Sequence, residues 1–145
     1  MKYLFSILGL ALALNLFGQT CVGQWVTIDD NTGEKKSVVE LYKKDGKLYG
    51  HIVYIFPRKG VEENPKCKEC SGELKNKPIT GMQIVKNLKW DGSAWEGGTI
   101  LDPENGKTYT VKIWTENGDE KKLNVRGYIG PFYRTQTWVK ATKEY

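Results

Sequence analysis

From Gly23 onward the sequence never settles into a helical period. Apolar and polar residues alternate through short segments, and nearly every segment stops at a glycine or a turn dipeptide. Side chains that alternate in this way fall on opposite faces of an extended strand, whereas an amphipathic helix repeats every three to four residues. "QWVTI" runs into "DDNTG"; "SVVELY" meets "YKKDGK", where Asp45-Gly46 supplies the positive φ of a tight hairpin; "KLYGHIVYIF" returns as a long β-branched and aromatic strand that Pro57 ends. "ITGMQIV", "LKWDGSAWEGGTI", "TYTVKIW", "KLNVRGYIG" and "YRTQTWVKA" continue the pattern. About eight strands in meander order result, joined by connections too short for helical crossovers. Such a set must hide its edges, and closure on itself does so. The expected fold is all-β: one up-and-down antiparallel barrel over residues 23–142, interrupted by one long polar loop at 57–78.

Composition agrees with that reading. Twelve per cent aromatic residues with 16 glycines and 5 prolines favour strands and tight turns, and 27% charged against 39% hydrophobic content is that of a globular chain with one core. There is no internal repeat and no second domain. Ahead of the barrel, "MKYLFSILGLALALNLFG" carries Lys2 and then an apolar run to Phe17, the pattern of a secretory signal peptide over residues 1–19, with cleavage near Gly18 to Thr20. The run is short for a membrane span, which needs about 20 apolar residues, and nothing downstream is comparably apolar. The expected location is therefore periplasmic or secreted. Cys21 raises the question of a lipoprotein, but Gly18 and Thr20 stand where a lipobox places Leu and a small residue, so a lipid anchor is not expected.

The formal charge of +5 falls to +4 once Lys2 leaves with the leader. The lysine clusters sit beside turn residues, and none interleaves basic and aromatic residues on one face. Nucleic acid is not an expected partner.

The motifs that carry chemistry elsewhere reduce here to architecture. "GGTILDPENGKTY" contains a Gly-Lys-Thr triplet, but Leu101 occupies the place of the first phosphate-loop glycine, and a strand rather than a helix follows. Pro103 interrupts the acidic run that a calcium loop would need. Asn105-Gly106 reads as a hairpin turn. Cys67 and Cys70 form a CxxC in the long loop; zinc would need two further Cys or His, and His51 is the only histidine. In an oxidising compartment a local disulfide is the expected state. No metal or cofactor is implied. The serines Ser6, Ser37, Ser71 and Ser93 stand in no nucleophile context, and the paired carboxylates Asp29-Asp30 and Glu62-Glu63 lie in polar turns. No catalytic set emerges. An enzyme would have to use carboxylates such as Asp102.

The aromatic residues are more informative. Strand alternation places Tyr109, Val111 and Ile113 on one face, Leu123 and Val125 on one face, and Tyr49, His51, Val53 and Ile55 opposite Ile52, Tyr54 and Phe56. A small barrel either fills its interior with such side chains or keeps a pocket. If a pocket is kept, Tyr49, His51, Tyr54, Trp95, Tyr109, Trp114 and Tyr128 are the candidate ligand contacts. Gly23-Gln24-Trp25 opens the first strand, while Arg134 lies on the last strand with Gln136 and Trp138. This resembles lipocalin-like barrels, in which a basic side chain from the final strand caps a Gly-x-Trp tryptophan. Trp25, Arg134 and Trp138 are thus expected to be structural, with Arg126 as a competing partner for Trp25.

Taken together, "GQW", "DGKLYGHIV", "GGTILDPENGKTY", "VRGYIG" and "RTQTW" resemble the bacterial exported proteins grouped as domain of unknown function 2147, in order and over almost the whole chain after the leader. The resemblance implies a compact, lipocalin-like β-barrel of the cell envelope. It implies no reaction. The leading functional expectation is non-enzymatic binding of a small hydrophobic or amphipathic ligand, with the long loop over the mouth of the barrel. The alternative is an envelope interaction module with a filled core.

Overall fold

The structure, a computed structural model, describes residues 20–145. The leader at 1–19 lies outside the described residues. Eight strands follow one another around a closed barrel in chain order: β1 (Gly23–Ile28), β2 (Lys35–Lys44), β3 (Lys47–Ile55), β4 (Gln83–Trp90), β5 (Trp95–Asp102), β6 (Lys107–Trp114), β7 (Lys122–Ile129) and β8 (Phe132–Lys140). All pairs are antiparallel, and β1 meets β8 through Trp25 opposite Lys140 and Val26 opposite Val139. Among the described residues the one helical element is a single 3₁₀ turn at Gly72–Leu74. Among the described residues no helix is long and apolar enough to cross a membrane.

Turn chemistry explains the short connections. Asp45 and Gly46 both take positive φ, 52° and 77°, and close β2 onto β3 with only two residues. The Asn105-Gly106 corner is a turn of another kind. Pro103 to Gly106 form a four-residue loop in which the Gly106 N–H donates to the Asp102 carbonyl at 2.8 Å, and only Gly106 has positive φ. Proline at the first loop position suits a type I start, which leaves the final glycine to take the left-handed conformation. The long connection is wider than its polar composition indicates. It runs from Phe56 to Met82, because Ile79 to Met82 leave the regular ladder although Gly81 and Met82 still bond to Ile52.

The interior divides into two halves. Where β2–β3, β4–β5 and β6–β7 turn, the barrel is plugged by Trp25, Leu41, Leu48, Leu88, Trp95, Ile113 and Leu123, all essentially inaccessible to solvent. The Cys21 thiol is buried in the same cluster, which pushes its pKa up to about 12, and its carbonyl accepts the Trp25 indole N–H at 2.9 Å. The C-terminal residues fold back over the outside of β1 to β3. The Tyr145 N–H donates to Gln24 Oε1 at 2.8 Å, and its ring lies 5.0 Å from Tyr54 and 5.6 Å from Phe56.

The Gly97-Gly98 pair exists for a steric reason. Gly97 takes φ +83° at a register shift in the β5–β6 ladder, and Gly98 sits so close to β4 that a Cβ would lie 2.0 Å from the Lys86 carbonyl oxygen. Gly98→Ala is expected to destabilise the barrel by roughly 1–3 kcal/mol, since the obstacle is backbone and cannot rotate away. Gly127→Ala places its Cβ 3.5 Å from Tyr109 Cβ, an ordinary contact, and should be near neutral. Urea unfolding midpoints of the two variants check the contrast; equal midpoints would contradict it.

Candidate functional site

Toward the other end of the barrel the inward side chains become smaller. Along β1 Trp25 gives way to Thr27, along β2 Leu41 to Val39 and Ser37, and along β7 Leu123 to Val125 and Gly127. In a barrel whose radius is set by its strand number, shrinking side chains leave space. The result is a cavity of about 530 Å³, within the size range of small-molecule sites. Its walls are aliphatic: Val39, Ile52, Ile84, Ile100, Val125 and, at the floor, Trp138.

The rim is polar and charged. Lys36 pairs with Glu104 at 2.7 Å, Arg134 with Asp30, and Lys68 with Glu62 at 3.0 Å. Gln136 also donates to Asp30 at 3.0 Å. Arg58 stands 4.0 Å from Asp29, too far for a hydrogen bond, and its Nε is buried with no hydrogen-bond partner. Backbone N–H groups of Thr32 and Asn31 bind the Asp29 carboxylate and hold its pKa below the usual carboxylate range.

The first half of the 56–82 connection covers part of the mouth, with Arg58, Val61 and Pro65 on the cavity wall. Its second half is anchored. Cys67 and Cys70 are joined in a disulfide, both are buried, and the Cys67 N–H donates to the Lys77 carbonyl at 2.8 Å while its own carbonyl accepts the Asn76 N–H at 2.8 Å. This knot packs on the β5–β6 turn. A Cβ on Gly106 would lie 1.9 Å from the Glu69 carbonyl oxygen, so only glycine lets the loop sit there.

Of the candidate ligand contacts singled out from the sequence, Tyr109 lies on the cavity wall and the others do not. Trp95 is buried in the plug, against Trp90. Tyr49 and His51 are on the outer face beside Tyr42; Tyr49 donates to Asn87 Oδ1, and His51 Nε2 is 3.2 Å from a Glu40 oxygen. Trp114 is also outside, under Lys112 and Arg126, and Tyr128 packs on Tyr133. Tyr54 is outside for a different reason. A register shift between Val38 and Val39 breaks the alternation of β3, so Ile52 and Ile55 both line the cavity while Tyr54 turns out to Tyr145. Sequence reading favoured aromatic residues; the wall is aliphatic, and the decline in inward side-chain size along the strands was the signal for it.

Trp25 and Trp138 are buried in the core, but Arg134 does not cap Trp25. Arg134 lies at the start of β8, at the mouth, whereas Trp25 pairs with Lys140 at the end of that strand, about 20 Å away at ~3.3 Å per residue. Lys140 Nζ sits 4.8 Å from the Trp25 ring centroid instead. Gly23 makes room for it: φ is +130°, and a Cβ there would lie 2.2 Å from Lys140 Nζ. Arg126, the other candidate, stacks 5.0 Å from Trp114 and 4.5 Å from Tyr133 on the outer face.

Three carboxylates stand on the cavity lining, Glu62, Asp102 and Glu104, and each is engaged, Glu62 by Lys68. Asp102 accepts the Glu104 N–H at 2.9 Å, a turn role, and Glu104 is engaged by Lys36. Among the described residues the one carboxyl pair with opposed shifts is Asp91 and Glu96, at the plugged end. Their shared hydrogen bond lowers Asp91, which also accepts the N–H groups of Ala94 and Ser93, and raises Glu96. Among the described residues no three His, Cys, Asp or Glu side chains gather as a metal site requires.

Residues 23–140 match the family described as an uncharacterized protein conserved in bacteria, DUF2147. The chain belongs to that family. The barrel also superposes on the solved structure of protein HP1028 from the human pathogen Helicobacter pylori, described as belonging to the lipocalin family, with a TM-score of 0.70, 22% identity, and coverage of 84% of this chain and 83% of that one. At this identity the likeness is one of fold. No curated protein matches the sequence. What distinguishes this DUF2147 barrel from a filled one is its hollow upper half and the knotted loop beside it.

Closing a four-residue CxxC ring contributes about 2 kcal/mol at most by the chain-entropy relation, so the disulfide should act locally. Replacing both Cys67 and Cys70 with alanine is expected to speed proteolytic cleavage within 57–78 about tenfold or more, while the barrel keeps its cooperative thermal transition. Unchanged cleavage would show that the disulfide does not hold the loop.

Proposed function

We propose that this protein is an exported, non-catalytic binder of a small, largely apolar or amphipathic molecule, taken into the open half of the barrel. The observation that carries the reading is the aliphatic cavity of about 530 Å³ beneath a charged rim. Each buried methylene contributes about 0.8 kcal/mol. A chain of roughly twelve carbons thus gains about 10 kcal/mol, and an association cost of at least about 4 kcal/mol leaves an affinity of tens of micromolar at best. Apolar burial alone therefore supports a real but modest site. The interaction-module alternative has a surface of its own in the exposed β7–β8 tip, where Phe132 is 77% accessible. That reading gives the hollow no role.

Titrating the protein with a neutral hydrophobic dye should quench Trp138 saturably with one site. Gly127→Leu, which fills the cavity from a position with ordinary backbone geometry, should weaken binding at least about tenfold. Tyr49→Ala and Trp114→Phe, on the outer face, should leave it unchanged. No saturable response from wild type, or equal binding by the filled variant, would overturn the reading.

Export is part of the proposal. The leader pattern and the disulfide support it, since such bonds persist in oxidising compartments. The mass of the protein isolated from its native cell envelope should correspond to a chain begun near residue 20, with the disulfide formed and no lipid on Cys21. An intact leader on a cytoplasmic protein would contradict it.

A further inference from the structure

Among the described residues the rim holds one largely buried cation with no carboxylate within hydrogen-bond reach; Lys66, which also lines the opening, is exposed to water. Lys36, Lys68 and Arg134 each have a carboxylate within hydrogen-bond reach. Arg58 does not. Its nearest carboxylate oxygen is Asp29 Oδ2, 4.0 Å from Nη1, while Oδ1 of that residue is occupied by the N–H groups of Asn31 and Thr32. Nε of Arg58 is buried and without a partner, and the side chain as a whole is only 16% accessible.

A carboxylate or an amine in this position could shed its charge, but a guanidinium stays protonated in proteins. A buried cation with open donors is costly, and the cost is relieved by an anion that meets the guanidinium fork. The placement is specific. Arg58 follows β3 by three residues and lines the same cavity as Ile52 and Ile55 of that strand, which joins a cation of the rim to the aliphatic wall.

We propose that the occupant is an anionic amphiphile, its carboxylate or phosphate head held by Arg58 and its hydrocarbon part in the barrel. This rests on the cavity-binding reading above and narrows it to one chemical class. Charge-assisted hydrogen bonds to such a head multiply the modest apolar affinity by roughly ten- to a hundredfold.

The test compares dodecanoate, dodecyl phosphate and dodecanol, which share one tail, by calorimetry on wild type and on Arg58→Gln and Arg58→Lys variants whose folding is checked by circular dichroism. Wild type is expected to bind at least one of the anions about tenfold or more tightly than the alcohol, and the tighter anion identifies the head. Arg58→Gln should reduce that anion to the level of dodecanol without changing dodecanol itself; Arg58→Lys should recover part of the preference. Dodecanol binding wild type as tightly as both anions, or Arg58→Gln weakening all three equally, overturns the headgroup assignment and leaves the cavity reading standing. Failure of all three ligands to bind folded wild type removes both. The wild-type comparison is decisive even if a variant misfolds.

Discussion

Closure of the sheet between β1 and β8 is the constraint on which the molecule depends. It is made by two residue pairs, Trp25 with Lys140 and Val26 with Val139, extended by the Ala141 N–H donating to the Gln24 carbonyl. A seam this short needs support from side chains, and the support is local. Lys140 covers Trp25, Gly23 yields the space for it, and Tyr145 ties the chain after β8 to Gln24 and to the rings of Tyr54 and Phe56. Once the seam is shut, eight strands fix one radius, and the question of a solid or hollow interior becomes a question of which side chains point inward at each level.

The answer differs along the axis. At the plugged end the inward positions carry tryptophan and leucine, and Gly50 admits the neighbouring bulk: a Cβ there would lie 2.7 Å from Leu41 and 3.1 Å from Val85. At the mouth the same strands offer Thr27, Ser37, Val125 and Gly127. The plug pays the conformational cost of folding by burying large apolar surface, which leaves the mouth free of that duty. The stabilising core and the open space are thereby separated by height in a single barrel, and in the proposed binder substitution near the rim would alter the occupant without unpicking the core.

Much of this architecture was legible in the residues. Alternation, turn dipeptides and short connections gave the strand type and the meander order, and the CxxC in a polar loop gave the disulfide, because each is a local property. The side-chain faces were less legible wherever two strands pair out of step. The shift at Val38 and Val39 sends Tyr54 outward and brings Ile55 in, and no pattern within β3 alone announces a change that its partner strand imposes. Arg134 was misplaced by the same kind of error: its parity is right, but its height on β8 puts it at the mouth with Asp30 rather than on Trp25. The hollow was readable in principle, since Trp25, Thr27 and Leu41, Val39, Ser37 are simple sequences of decreasing size.

The stretch "GGTILDPENGKTY" shows how a motif can be specific to a family without carrying chemistry. Gly98 lets β5 lie against the Lys86 carbonyl, Asp102 caps the turn, and Gly106 leaves room for the Glu69 carbonyl of the knotted loop, while Glu104 reaches across to Lys36. These residues position backbone at the mouth, and of the acidic groups that line the cavity there Asp102 is held by its own turn and Glu104 by Lys36. A segment built this way holds the loop in one place over the opening. In the proposed binder the loop's own side chains would add selectivity to this frame, and among them Arg58 brings a buried donor, Nε, with no hydrogen-bond partner.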